Sequence, residues 1–262
     1  MGYFSLRRHL CAGVKSPRTR RNVAGRRLAL ANSFGKPWLR RRIEKTVGDS
    51  LRRVYEHIGV DPGRYLMHLR MAHGLPVQSY QGVVGLRAEQ LDPIAEQTVR
   101  AAMKMAALEG AGFGLGGILT VLPDLGVLSG ITLRMIQKLS LIYGFEFTTD
   151  EEVAELWLAI ASAAGVDISR ELLEKTVLSR FVERIIQRVA AQASADIASR
   201  AAARIVPILS SALGAALNYY YFVRAWGARV LDHFRERHNA ERERMAQAAG
   251  RAAESELHLS LS

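Results

Sequence analysis

Ala111-Gly112-Phe113-Gly114-Leu115-Gly116-Gly117-Ile118-Leu119-Thr120-Val121-Leu122-Pro123-Asp124-Leu125-Gly126-Val127-Leu128-Ser129-Gly130-Ile131-Thr132-Leu133 carries a single charge, Asp124, directly behind a proline. A second uncharged apolar stretch, Ile205 to Val223, lies between Arg204 and Arg224. Its 19 residues would make a helix of about 28 Å, against a hydrocarbon core of roughly 30 Å. Length permits a membrane span. A straight span through the first stretch is disfavoured, because an acid at its centre costs roughly 2.5–3.5 kcal/mol on insertion scales. Asp124 is either an ion, proton or partner site, or the cap of a helix over 125–143 after a proline-enforced turn. The cap is the preferred reading. It divides the stretch into a glycine-rich apolar helical hairpin, able to bury in a bundle or dip into a leaflet.

Working outward, the periodicity from about residue 39 onward is helical almost everywhere, which predicts an all-α multi-helix bundle. Helices are expected near 39–58, 62–73, 92–109, 111–121, 124–143, 150–164, 169–204 and 207–237, with a polar tail helix near 240–253. Asp61-Pro62 and Asp92-Pro93 place a capping carboxylate before a proline suited to the first helical turn. Thr149 and Glu152 have capping-box spacing. Leu173, Val177, Phe181, Ile185, Val189, Ala193 and Ile197 recur every three or four residues, as a bundle-facing stripe does.

The charge is distributed unevenly. The chain has 262 residues, 49% of them hydrophobic, and a net charge of +11. Residues 1–45 hold 13 Lys and Arg against the single acid Glu44, giving +12, while residues 46–262 hold 23 bases and 24 acids, giving −1. The organisation expected is a basic flexible arm (1–45), a helical domain (46–238) and a polar tail (239–262). The arm suits an anionic membrane surface, where each Lys or Arg contributes roughly 1 kcal/mol, or nucleic acid through phosphate charge alone. The alternative is a solvated tail or an over-extended start, with Met67 and Met71 as later starts. Arg7 and Arg8 interrupt the only candidate signal-peptide core. The lone Cys11 cannot form an internal disulfide.

Gly112, Gly114 and Gly117 match the glycine spacing of a dinucleotide-binding loop, but a helix former precedes them where that loop needs a strand. Small residues on an apolar helix, including Gly126 and Gly130, instead suit close packing of two consecutive helices. In the second stretch Pro207 opens a helix, Gly214-Ala215-Ala216 offers a flat surface, and Asn218 suits a buried hydrogen bond. Tyr219 to Phe222 and Trp226 beside Arg224 fit either an interfacial belt or the end of a bundle core. His68 and His73, like His233 and His238, are five apart and miss the i, i+4 spacing of a helical metal pair. No catalytic, cofactor or metal constellation is assigned.

The ordered blocks Glu109-Gly110 through the glycine run, Leu122-Pro123-Asp124-Leu125, Leu133-Arg134-Met135-Ile136-Gln137 and Tyr143-Gly144-Phe145 resemble the EcsC protein family. So do Val206-Pro207, Gly214-Ala215-Ala216-Leu217-Asn218 and Ala225-Trp226-Gly227-Ala228-Arg229 downstream. The resemblance covers roughly residues 75–238. It implies no established catalytic residue, and a link to an ABC transporter only by family analogy, since the family is named after the third gene of an operon that also encodes one. The leading expectation is a non-enzymatic helical protein at the cytoplasmic face of a membrane or on a membrane protein complex, with integral insertion as a variant. Gly110, Gly114, Gly117, Pro123, Asp124, Arg134, Pro207, Gly214, Asn218 and Trp226 are its candidate interaction or structural residues. Arg134 and Lys138 would hold the headgroup side. The rivals are a soluble bundle with a nucleic-acid-binding arm, and an enzyme centred on Asp124 and Asn218.

Overall fold

The computed structural model describes residues 37–57, 59–113, 118–168, 177–203 and 212–261. The arm to residue 36 with Cys11, and Gly114, Gly117, Leu173 and Pro207, lie outside them. The described residues form helices α1 (Pro37–His57), α2 (Pro62–His73), α3 (Tyr80–Val84), α4 (Ala88–Phe113), α5 (Ile118–Ile142), α6 (Asp150–Ala163), α7 (Leu178–Ala203) and α8 (Ala212–Leu261). No strand occurs among them, as the all-α reading expected.

Helix α5 is the axis of the bundle, packed by α1, α2, α4, α6 and α8. From Ile131 to Tyr143 only Arg134 and Lys138 escape burial. A helix that is apolar on all sides belongs inside a protein, and this accounts for the end of the uncharged run, Ile131 to Leu133. Helices α4 and α8 make the longest pairing, while α7 packs on α1 and α6. The α7 stripe is buried at Phe181, Ile185, Val189 and Ala193, but its first described member, Val177, is exposed.

Three neighbour sets fix the directions of the helices. Asp92 of α4 meets Arg235 of α8, and Val99 meets Gly227 further along both, so these two run antiparallel. Tyr143 reaches Asp92 and Met135 lies against Gly227, so α5 is antiparallel to α4. Ser50 beside Gly126 and the Val60 N–H donating to Gln137 at 3.2 Å make α1 parallel to α5. At the crossing, a Cβ on Gly227 would lie 2.6 Å from Val99 Cγ1 and 3.4 Å from Met135 Sδ. Only glycine lets the three helices approach this closely.

Several helix ends follow their sequence signals. Asp61 Oδ1 accepts from the Arg64 N–H at 2.8 Å, and the Thr149/Glu152 capping box closes in both directions. Gly144 ends α5 at φ +90°, and a Cβ there would stand 2.7 Å from Val84 Cγ2.

Other expectations are corrected. The backbone is helical without interruption through Pro123 and Asp124, so Asp124 does not cap a helix over 125–143, and Ile118 to Leu122 belong to the same helix as the residues after the proline. A proline early in a helix removes one backbone hydrogen bond at a cost of ~3 kcal/mol, which the burial of the rest of α5 outweighs. The antiparallel pairing that exists joins α4 to α5, with their junction at 114–117 outside the described residues. Asp92-Pro93 does not open a helix either, since α4 begins at Ala88 and contains both. Gly126 faces α1, where a Cβ on it would lie 3.4 Å from Ser50 Oγ, not α4. The separate tail helix is the continuation of the 50-residue α8.

Candidate functional site

The polar chemistry gathers where the start of α4, the end of α5 and the middle of α8 meet. Asp92 Oδ1 accepts from the Tyr143 hydroxyl at 2.6 Å and from Arg235 Nε at 3.0 Å. Burial first, and then the hydrogen bond to the Asp92 carboxylate, push the Tyr143 hydroxyl well above its ordinary pKa. It therefore stays protonated and donates. One residue-turn along α8, the fully buried His238 sets Nδ1 2.9 Å from the Tyr143 carbonyl and Nε2 3.0 Å from the Leu86 carbonyl. Both neighbours are acceptors.

A second row on α8 faces α6. Arg229 Nη1 donates to the Ala163 carbonyl, the last residue of α6, where a cation suits the negative helix end. Two turns on, Arg237 lies 3.6 Å from Glu155 and 4.2 Å from the centre of the Phe145 ring. Between them, His233, Glu155, Ser162 and Asp167 border a groove of about 410 Å³ with Leu158 and Ile168. Glu155, its most enclosed acid, is already paired with Arg237. The arrangement ties α4, α5, α6 and α8 together. Among the described residues no group of three or more His, Cys, Asp or Glu side chains is placed to hold a metal ion.

The residues singled out from sequence fall differently. Gly110 is buried in the last turn of α4, Arg134 is exposed on α5, and Trp226 is buried beside Phe222 at the Gly227 crossing. Pro123, Asp124, Gly214 and Asn218 lie on helical backbone, with their side chains outside the described residues. Trp226 and Tyr219 finish the core, whereas Tyr221 is exposed. Sequence reasoning assigned Asp92 to a cap and missed Tyr143, Arg235 and His238 as a set. The signal available was Tyr143-Gly144-Phe145, whose glycine marks the chain reversal that aims Tyr143 at α4. His68 and His73 also depart from expectation, for their rings meet edge-on with centroids 5.5 Å apart.

Fold and site define an all-helical bundle locked by polar ties between its long helices. The profile of the EcsC protein family matches residues 37–238, and the chain belongs to that family. Among curated proteins it is similar to Protein EcsC of Bacillus subtilis (strain 168), at 25% identity over 133 residues, or 51% of this chain. That match spans 56% of the relative's length. No solved structure matches.

Proposed function

We propose that the protein is a non-enzymatic helical factor that rests one end of its bundle on the cytoplasmic face of an anionic membrane, accessory to a membrane-embedded system of the transporter type. The observation supporting this is the placement of its exposed apolar side chains. Met105 and Leu108 of α4, Val127 of α5, and Leu217 and Tyr221 of α8 are all exposed, Leu108 to 74%. Measured from the Val99–Met135–Gly227 crossing, all five lie in the same axial direction, roughly 9–15 Å away at 1.5 Å per residue. The Asp92–Tyr143–Arg235 tie lies the opposite way. These five thus gather toward one end of the long helices, while the exposed Met67 and Met71 of α2 and Val177 lie elsewhere.

Because α1 runs parallel to α5, its first turns approach the apolar end, bringing the exposed Arg41, Arg42 and Lys45. Lys104 and Arg224, also exposed, stand within a turn of Leu108 and Tyr221. Apolar side chains ringed by cations are the pattern of an interfacial contact, each element adding burial or charge attraction. No described helix is long and apolar enough to cross a membrane. In this reading the end of α4 at Gly110 and the opening of α5 to Pro123 and Asp124 lie at the end that meets the lipid. Arg134 lies about 10 Å deeper than Val127, on the headgroup side or beyond.

Flotation of the full chain with phosphatidylserine-containing vesicles tests this. Binding should fall at least fivefold in the double variant Leu108→Ser, Tyr221→Ser, and should weaken in high salt. Absence of binding at low salt sinks the proposal. Binding that is salt-sensitive but indifferent to the double variant assigns the contact to the arm alone, and retention of RNA by the arm with no vesicle binding favours the nucleic-acid reading.

A further inference from the structure

Helix α5 leaves one narrow strip uncovered. At about 100° per residue, Val127, Gly130, Arg134 and Lys138 fall within about 80° of arc, and all four are exposed or half-buried, while Leu128, Leu133, Met135 and Leu139 around them are buried. Helix α4 carries a matching strip of Thr98, Ala101, Met105 and Leu108, again within about 80°, with Met105 54% exposed. Tyr65 of α2 joins the two. Lys138 Nζ stands over its ring, 6.0 Å from the centroid, and its side chain shares a hydrogen bond with Thr98. Because α4 and α5 are antiparallel neighbours, both strips run side by side from Tyr65 toward the apolar end. They make one surface, cationic where α2 closes it and apolar where it opens.

Arg134 and Lys138 lie one turn apart on this surface, a spacing at which like charges repel. No carboxylate among the described residues pairs with either. An anion between them removes that repulsion, and a guanidinium offers a phosphate two parallel N–H donors. From Arg134 to Val127 is about 10 Å at 1.5 Å per residue, past Gly130 and Ala101, which leave room for a chain to lie against the helices. The depth also fits a bilayer. An interfacial apolar face sinks about 5–10 Å into the headgroup and acyl boundary, so immersing Val127 and Leu108 that far brings Arg134 level with the lipid phosphates. We infer that this surface seats one anionic phospholipid, its phosphate between Arg134 and Lys138 and an acyl chain along Gly130, Ala101 and Met105 toward Leu108. The inference rests on the membrane reading above and names the lipid class for it. A fixed pair of cations selects an anionic headgroup, whereas a diffuse basic segment responds to surface charge alone.

The test uses the full chain with isotope-labelled methionine methyls and dihexanoyl-phosphatidylserine, a water-soluble lipid that needs no bilayer. On titration followed by NMR the Met105 methyl should shift, while Met67 and Met71 of α2 stay unmoved. Dihexanoyl-phosphatidylcholine, which lacks the net charge, and inorganic phosphate, which lacks the chains, should each bind at least tenfold more weakly. Arg134→Gln with Lys138→Gln, and separately Ala101→Glu, should each weaken binding of the phosphatidylserine at least tenfold. Unchanged thermal unfolding of these variants excludes loss of fold as the cause. An equal response to phosphatidylcholine or phosphate, or equal affinity in parent and variants, overturns the seat. Full flotation on phosphatidylserine vesicles with no response of Met105 to the soluble lipid also overturns it and leaves the membrane reading standing. A response of Met105 in a chain that does not float supports the seat and removes the membrane reading.

Discussion

Glycine 227 shows how one missing methyl sets the spacing of three helices. Placing alanine there improves helix propensity by about 1 kcal/mol, but drives Cβ to 2.6 Å from a γ-methyl of Val99. Valine is stiff at χ1 and cannot swing clear. Overpacking of this kind costs about 1–3 kcal/mol, so Gly227→Ala should lower stability in urea unfolding. Adding Val99→Ala should recover part of the loss, a coupling that a purely helical effect would not show. Position 227 was visible in the sequence as part of Ala225-Trp226-Gly227-Ala228-Arg229, but the partner that makes it obligatory was not. Val99 is 128 positions away in the chain, and no periodicity links the two. The same holds for Asp92. Its place before Pro93 was a legible local signal, overruled by Tyr143 and Arg235, which α5 and α8 bring to it.

Single helices were legible where the deciding forces are local. Helix α2 matches its expected span because Asp61, Pro62 and Gly74 punctuate both of its ends. Helix α6 begins at its capping box. There, burial by itself would raise the Glu152 carboxyl, but hydrogen bonds from the backbone and hydroxyls of Thr149 and Thr148 outweigh it and hold Glu152 below its ordinary value. A carboxylate depressed in the folded state contributes stability above its unfolded pKa of about 4.3, and loses it as the pH falls through the folded value. Glu152→Gln should therefore be less stable than the parent at pH 7, and the gap should close below about pH 4. Chemical denaturation across that range measures it. A gap independent of pH would place the effect in packing instead. Helix α5 was misread for the complementary reason. Pro123 is a strong local signal for a break, and the packing of α5 by five neighbours is a non-local one that prevailed.

At the scale of the molecule, the all-helical class was legible from periodicity and the layering was not. Nothing in the sequence shows that α1 lies against both α5 and α7, yet Ile43, Val47 and Leu51 are core residues. Burying three such side chains contributes about 5–9 kcal/mol, comparable with the whole stability of a domain, 5–15 kcal/mol. A chain begun at Pro62 should consequently lose cooperative thermal unfolding, as followed by circular dichroism, even though every residue of α2 to α8 remains. A sharp transition in that chain would show that α1 is dispensable.

Helix α8 does not stop where the bundle does. Past His238, the last residue tied to Leu86 and Tyr143, it continues to Leu261, about 35 Å further at 1.5 Å per residue. Its described side chains there are exposed or half-buried. Such a segment is a strut with a fixed gauge, where a coil of equal length would be a tether with a spread of lengths. Its fixed end is the tie at His238, so a small bend beyond that point is magnified into a wide sweep at the outer end. The chain thereby has the geometry of a lever, with its short arm seated in the core and its long arm in solvent.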